Sequence, residues 1–143
     1  MQARQHWPSL TPDSFVETSP VDSFYNCVAH AADDNNTWWW PSSGRRYYWP
    51  PDVQRTANLA SFEAAYVTRG YEKCDTPDLE EGVEKIAVYA LDGVPKHVAR
   101  QLASGRWTSK LGELKDIDHA TLEVLAGNFY GHAVLFMRRP RVR

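Results

Sequence analysis

Residues 83 to 111, "VEKIAVYALDGVPKHVARQLASGRWTSKL", hold three β-forming segments that are separated by two turn signals. The first segment, "VEKIAVYAL", is nearly all apolar, as is typical of a strand that is buried on both faces. Asp92-Gly93 and Ser104-Gly105 are dipeptides that favour tight turns. "KHVARQL" and "RWTSKL" are therefore expected to return as antiparallel strands. The stretch predicts a three-stranded antiparallel meander.

Helical patterns lie on both sides of this meander. "NCVAHAAD" predicts a short helix that Asn26 caps, with Cys27 in its first turn. "TANLASFEAAYVTRGY" places Leu59, Phe62 and Tyr66 at helical spacing. After the meander, "ATLEVLAG" predicts another short helix and "HAVLFMRR" a final strand. This order of elements predicts an α+β fold.

The length and composition fit a single domain. The chain has 143 residues, of which 24% are charged and 43% are apolar, an ordinary globular mixture. We expect an irregular N-terminal arm over residues 1–23, an α+β domain over residues 24–139 and a basic tail over residues 140–143. The formal net charge of −2 gives no electrostatic reason to expect nucleic-acid binding.

The sequence also bears on location and cofactors. Its first residues lack the apolar core of a signal peptide, and no apolar run reaches membrane-spanning length. We therefore expect a cytoplasmic protein that binds no membrane, with its two cysteines as free thiols. No CxxC, HExxH or phosphate-binding glycine pattern occurs, so no metal and no cofactor are predicted. Nothing in the sequence predicts an oligomeric state.

Cys27 is a candidate nucleophile because of its predicted place at the start of a helix. The free N–H groups and the dipole of a helix N-terminus favour the thiolate, which is the reactive form of cysteine. The same N–H groups can stabilise the oxyanion of a tetrahedral intermediate. The alternative is structural, since free cysteine is among the most buried residue types.

A cysteine nucleophile needs a base within hydrogen-bond reach, and the chain has five histidines. His97, near the start of the second strand of the meander, is the best placed to meet a helix that packs on the sheet. His30 lies on the same short helix as Cys27 and is expected in the core or at its rim. His132 opens the last strand and favours a structural role. His119 remains as an alternative base, or as a residue that supports one.

A third polar group would hold the imidazole of His97, and the strand register decides which one. If Leu102 pairs with Arg106, the face of His97 also carries Ser109. If a two-residue turn sets the register instead, that face receives Lys110. A slip of one residue moves every side chain to the other face, so both residues remain candidates from the sequence.

The cysteine at a helix start, followed by the antiparallel pair "HVARQLASGRWTSK", resembles the papain-like NlpC-type amidase and peptidase superfamily. The resemblance implies a papain-like domain in which the helix carrying Cys27 packs on an antiparallel sheet. It matches Cys27 to the nucleophile of that superfamily and His97 to its base. An ungapped overlay of the hairpin puts Ser109 at the third position.

A second resemblance covers most of residues 24 to 138. It is carried by "YNCVAHAA", "WWWP", "GYEKC", "EKIAVYA", "HVARQL" and "GRWTSKLGELKDIDH", and is to a little-characterised group of bacterial proteins. This resemblance brings no activity that can be transferred to the chain.

Residues 33–55 form an aromatic, proline-rich segment that predicts a long loop. Aromatic side chains in such a loop can grip a sugar or a peptide, or they can cover the core of a small domain. We expect Trp39 and Trp40 to serve the core. The candidate binding residues are Trp38, Tyr48, Trp49 and, from the third strand, Trp107.

Two functions follow from these features. The first is a cysteine hydrolase or acyltransferase that acts on an amide, isopeptide or thioester bond through Cys27, His97 and Ser109. Its partner would be a peptide, amide or glycopeptide-like substrate. The second is a catalytically inactive papain-like module that binds a partner through the aromatic loop.

Overall fold

The computed structural model describes residues 15–18, 26–34, 37–41, 47–111 and 116–141. Within these residues the chain is an α+β fold of two α-helices, one 3₁₀ helix and a seven-stranded sheet. The strands are β1 Phe15–Glu17, β2 Glu72–Cys74, β3 Val83–Leu91, β4 Val94–Gln101, β5 Trp107–Lys110, β6 Asp116–His119 and β7 His132–Pro140. The helices are α1 Cys27–Ala31, α2 Leu59–Val67 and the 3₁₀ helix Leu122–Leu125.

The sheet is antiparallel throughout, in the order β1-β6-β5-β4-β3-β7-β2. The expected meander is present as β3, β4 and β5. β3 lies near the middle of the sheet and its interior residues are buried, as its continuous apolar pattern predicts. The meander therefore supplies the centre of the sheet, onto which the remaining strands add.

Three strands of the sheet are not predicted by the sequence. β1 lies within the predicted irregular arm, β2 follows α2, and β6 precedes the 3₁₀ helix. Each has only three or four residues, too few to show a period, and β1 and β2 pair with strands that are distant in sequence. The predicted helix in "ATLEVLAG" is a single 3₁₀ segment, Leu122–Leu125. Residues 1–14, 19–25, 142 and 143 of the predicted arm, domain and tail lie outside the described residues.

The register between β4 and β5 decides which polar residue joins His97. The N–H of Leu102 donates to the carbonyl of Arg106 at 2.7 Å. Gln101 accordingly pairs with Trp107. This is the register that places Ser109, and not Lys110, on the sheet face of His97.

Apolar side chains cover both faces of the sheet. On one face α1 and α2 pack with Trp39 and Trp49 over Ile86, Val88 and Val98. On the other face a second cluster surrounds Tyr89, Trp107, Ile117, Leu125 and Tyr130. Among the described residues, no helix is both long enough and apolar enough to cross a membrane.

Candidate active site

Cys27 is the first residue of α1, and Asn26 caps the helix. The Asn26 side-chain oxygen accepts from the N–H of Ala29 at 3.1 Å. The same oxygen accepts from the N–H of Trp39 at 3.1 Å, while the Asn26 amide donates to the Trp39 carbonyl at 2.6 Å. One side chain therefore starts the helix and fixes the aromatic segment beside it.

The Cys27 sulfur is almost fully buried, with 7% of the residue exposed. Burial raises the pKa of the thiol to about 11, although the backbone N–H groups of Val98, Val28 and Cys27 itself favour the thiolate. The charge of Lys110 also favours the thiolate. The helix N–H groups do favour the thiolate, as expected from the sequence, but desolvation outweighs these donors, so the net shift of the pKa is upward. The resting sulfur is a neutral thiol.

The N–H of Val98 reaches the sulfur because two strands separate at this point. The N–H of Leu102 points toward β5, and since backbone directions alternate, those of Arg100 and Val98 point the same way. Pairing between β4 and β5 ends at Arg100 and Thr108. The N–H of Val98 therefore has no partner on β5, and it hydrogen-bonds to the Cys27 sulfur instead. Cys27 consequently lies beside Val98, whereas the side chain of His97 faces the other side of β4 with Tyr89 and Tyr130. No hydrogen bond joins the Cys27 sulfur to His97 among the described residues.

His97 is fully buried between aromatic rings. The ring of Tyr130 stacks on it with centroids 4.2 Å apart and planes 8° apart, and Tyr89 meets it edge-on at 5.2 Å. Burial, and then the charges of His119 and His30, hold the pKa of His97 well below its usual 6.5. The imidazole is therefore neutral at pH 7, and its ring orientation is fixed by packing.

His97 begins a chain of hydrogen bonds that crosses three elements. Its Nε2 lies 2.9 Å from the Ser109 Oγ, which lies 2.7 Å from the Nε2 of His119. The Nδ1 of His119 lies 2.9 Å from the carbonyl oxygen of Thr121. We call His97, Ser109, His119 and Thr121 the relay.

The carbonyl at the end of the relay determines where its protons lie. A carbonyl only accepts, so the Nδ1 of His119 must donate to Thr121, which leaves its Nε2 as an acceptor. Burial lowers the pKa of His119 to about 4, so the ring holds no second proton. Ser109 therefore donates to His119 and accepts from the Nε2 of His97. The unprotonated nitrogen of His97 is then Nδ1, which is buried and has no hydrogen-bond partner among the described residues.

The relay shows which of the candidate polar residues contacts His97. Ser109 contacts His97 directly, and His119 supports Ser109 from the far side. Lys110 is buried in β5 beside Ser109 in sequence, and its charge acts on Cys27 instead. His30 packs in the core, with its Nε2 2.9 Å from the Thr108 Oγ1.

A cleft of about 420 Å³ opens onto Cys27. It is lined by Asn26, Cys27, Trp38, Trp40, Tyr47, Lys96, Phe129 and Tyr130. Of the four predicted binding residues, Trp38 lines this cleft. Tyr48 is partly exposed and packs on Trp39, and Trp49 is buried with its indole N–H donating to the Gln54 carbonyl.

Trp107 is buried at a different cleft, which Thr121 and Leu122 also line. Nothing in the sequence indicates that Tyr130, Phe129 and Lys96 line the cleft. Tyr130 and Phe129 lie in a turn far from Cys27 in sequence, so no local spacing indicates their approach. Among the described residues, no group of three histidine, cysteine, aspartate or glutamate side chains is arranged to hold a metal ion.

Comparisons with known proteins identify the family of the chain. No curated protein and no solved structure gives a significant match. A family model described as a domain of unknown function, DUF7689, matches residues 16–138. That match spans α1, the whole meander and every residue of the relay. The chain is therefore a member of the DUF7689 family.

Proposed function

We propose that the protein is a cysteine hydrolase or acyltransferase with a papain-like arrangement, acting on an amide, isopeptide or thioester bond. Cys27 is the nucleophile, His97 is the base and Ser109 orients the base. The observation that carries the proposal is the basic Nδ1 of His97, which the relay leaves without a proton and without a partner among the described residues, the Cys27 sulfur included. The proposal therefore requires this nitrogen and the sulfur to approach each other when a substrate binds. A buried nitrogen of this kind needs a reason, since leaving an acceptor unsatisfied costs about 1–3 kcal/mol.

The arrangement also supports a papain-like fold. A short helix begins at Cys27, and its first turn faces β4 where β4 and β5 separate. The base lies on β4, and the residue that orients it lies on β5. The cysteine, the base and the orienting residue thus come from a helix and two successive strands.

The proposed reaction begins from a neutral pair. As the Cys27 sulfur attacks the substrate carbonyl, its proton moves to the Nδ1 of His97, and the carbonyl oxygen becomes an oxyanion near the Cys27 N–H. Collapse of this intermediate expels the amine or thiol, which takes the proton from His97. Water or another acceptor then attacks the thioester and gives its own proton to the same nitrogen. Collapse of the second intermediate breaks the carbon–sulfur bond and releases the acyl product, and the departing Cys27 sulfur takes the proton back from His97.

This neutral pair distinguishes the site from a preformed thiolate–imidazolium pair. The pKa of Cys27 is raised and that of His97 is lowered, so neither group is charged before substrate binds. Proton transfer must then accompany attack. Hydrolysis should proceed more slowly in D₂O, because the transferred proton is in motion in the transition state.

A kinetic series tests the proposal in a Cys74→Ser background, which leaves Cys27 as the single thiol. The substrate is p-nitrophenyl acetate, whose coloured leaving group reports acylation. We expect a burst of one acyl group per protein that is lost in Cys27→Ala and slowed at least about 100-fold in His97→Asn. Equal rates in the parent and in Cys27→Ala would show that the hydrolysis comes from elsewhere.

The second candidate function is a binding module, and one observation favours it. The raised pKa of Cys27 is also what an inert core cysteine would show. In that case the aromatic cleft would bind a ligand while Cys27→Ala left both binding and every hydrolytic rate unchanged. The burst experiment therefore distinguishes the two functions directly.

A further inference from the structure

A β-bulge in β4 places a lysine in the cleft beside the nucleophile. Tyr89 of β3 pairs with His97, and the next residue, Ala90, pairs with Pro95, so Lys96 is the extra residue that faces no partner on β3. Bulges bend the strand and redirect side chains, and they are frequent next to active sites. Here the bulge presents Lys96 to the cleft that Cys27 also lines.

The charge of Lys96 is not neutralised within the described part of the chain. Lys96 is exposed, and it makes no ion pair there. The other described residues of the cleft lining are an amide, a thiol and aromatic rings, none of them acidic. An ammonium group that stands alone in an aromatic cleft attracts a negative charge.

The aromatic walls of the cleft indicate a second property of its ligand. Trp38 and Tyr47 come from the aromatic segment, and their ring centroids are 5.8 Å apart. Phe129 and Tyr130 come from the turn before β7, with centroids 5.2 Å apart. Phe129 is 45% exposed and lines the cleft, so its ring is accessible to a ligand there. Such rings favour a flat or apolar group next to the anion.

From these observations we infer that Lys96 selects the substrate: an amide or thioester whose acyl part carries a carboxylate next to an apolar portion. The carboxylate pairs with the Lys96 ammonium, and the apolar portion packs on the aromatic rings. The scissile carbonyl then lies over the Cys27 sulfur. The statement about substrate rests on the proposed function, whereas the preference of the cleft for anions can be measured without it.

Two alkylating reagents test this preference. Iodoacetate and iodoacetamide differ in a carboxylate and an amide of similar size, and both modify Cys27 without any turnover. The rate ratio of iodoacetate to iodoacetamide is measured at pH 8 in the Cys74→Ser background, by intact mass. We expect the ratio to fall about five-fold in Lys96→Met and further in Lys96→Glu.

Lys73→Met is the matched control, because it removes the same charge from an exposed position on β2 that does not line the cleft. The ratio should be unchanged in Lys73→Met. A ratio in Lys96→Met equal to that in the parent would overturn the anion preference and leave the proposed Cys27–His97 chemistry standing. Failure of both reagents to modify Cys27 in the folded protein would overturn both, since the cleft would then not reach the sulfur.

A pair of thioesters extends the test to substrates. Glutaryl and pentanoyl thioesters of the same thiol differ chiefly in a terminal carboxylate. The parent should favour the glutaryl compound in kcat/KM, mainly through a lower KM, and Lys96→Met should lose that preference. Hydrolysis of both compounds at equal efficiency would again contradict selection by Lys96, while showing that the nucleophile works.

Discussion

His97, Ser109 and His119 are three buried polar residues on one face of the sheet, and each contacts the next. Buried polar groups in a low dielectric are stable when their hydrogen bonds are complete. Among the described residues, the His97 Nδ1 is the one side-chain nitrogen or oxygen of the relay histidines and Ser109 that has no hydrogen-bond partner. The Thr121 carbonyl is the end that fixes all the protons, although it lies farthest from Cys27 along the relay.

Replacing His119 tests this proton order. In His119→Leu, Ser109 loses its acceptor and is free to donate to the Nε2 of His97, which moves the proton of His97 to Nδ1 and removes the proposed base. We expect kcat on p-nitrophenyl acetate to fall at least about 100-fold with little change in KM, as for other wrong-tautomer variants.

Two further variants separate this effect from damage to the fold. His119→Gln supplies an amide oxygen that can accept from Ser109, and it should recover much of the lost rate. His132→Leu changes an exposed histidine of β7 and should behave like the parent. Equal rates in His119→Leu and the parent would mean that His97 holds its tautomer without the relay.

At the scale of elements, α1 has only five residues and is too short to be stable alone. Its position depends on tertiary contacts, including the Tyr66 hydroxyl, which donates to the Val28 carbonyl at 2.7 Å. Asn26 adds three hydrogen bonds, two of them to Trp39. The helix that carries Cys27 is thus fixed by α2 on one side and by the aromatic segment on the other.

Two asparagine caps provide a matched comparison. Asn58 caps α2 by accepting from the Ser61 N–H at 2.8 Å, so Asn58→Ala should lower the free energy of unfolding by about 1 kcal/mol. Asn26→Ala loses a cap and both bonds to Trp39, and should cost about 3 kcal/mol. Urea unfolding measures both values. Equal losses in the two variants would show that the Trp39 bonds add nothing.

Glycines 93 and 131 provide a second comparison. Both have positive φ, 81° and 77°, but a Cβ on Gly93 meets nothing within 4 Å, whereas one on Gly131 would lie 1.9 Å from the Ala90 carbonyl oxygen. Gly93→Ala should cost about 1–2 kcal/mol from backbone strain alone. Gly131→Ala must also move the backbone beside Tyr130, so we expect about 4 kcal/mol or more. Similar unfolding midpoints for the two variants would contradict this close approach.

The elements differ in how well the sequence predicts them. β3 is recognisable because both of its faces are buried, so its apolar run is continuous. β6 contains two aspartates and a histidine in four residues and shows no strand pattern. It becomes a strand because β1 and β5 pair with its two edges. Pairing of this kind depends on tertiary contacts and leaves no local signal.

At the scale of the whole molecule, the sheet brings together residues from the two halves of the chain. Cys27 was identifiable from its predicted helix start, and Ser109 from one of two possible registers. The approach of Tyr130 and the bulge at Lys96 were not, because both depend on how β3 pairs with its neighbours. Desolvation of Cys27 also depends on packing, which is why the sequence could indicate the N–H groups that favour the thiolate but not the larger desolvation that raises the pKa.

The buried histidines make the whole fold sensitive to acid. His119 has a pKa of about 4 when folded and 6.5 when unfolded, so the unfolded chain binds more protons between these values. The free energy of unfolding is therefore unaffected by His119 above pH 6.5 and decreases as the pH falls below it, by about 2 kcal/mol at pH 5. His97 acts in the same direction.

Urea unfolding at pH 7.5 and pH 5 measures this loss, and His119→Gln should reduce it by about 2 kcal/mol. The buried carboxyl of Glu84 does not obscure the window. Burial raises the pKa of Glu84, but its pairing with Arg139 and Arg100 outweighs burial and holds that pKa below 4.5. A His119→Gln variant as acid-sensitive as the parent would contradict the buried, neutral state of His119.

Mapping the acyl group after reaction with a thioester tests the central claim most directly. The parent protein, Cys27→Ala and His97→Asn are each incubated with glutaryl thioester, quenched in acid, digested and sequenced by mass spectrometry. We predict the acyl group on Cys27 in the parent, a much slower appearance there in His97→Asn, and none in Cys27→Ala. An acyl group on Cys74 alone, or equally fast acylation of Cys27 without His97, would contradict a nucleophile–base pair of Cys27 and His97.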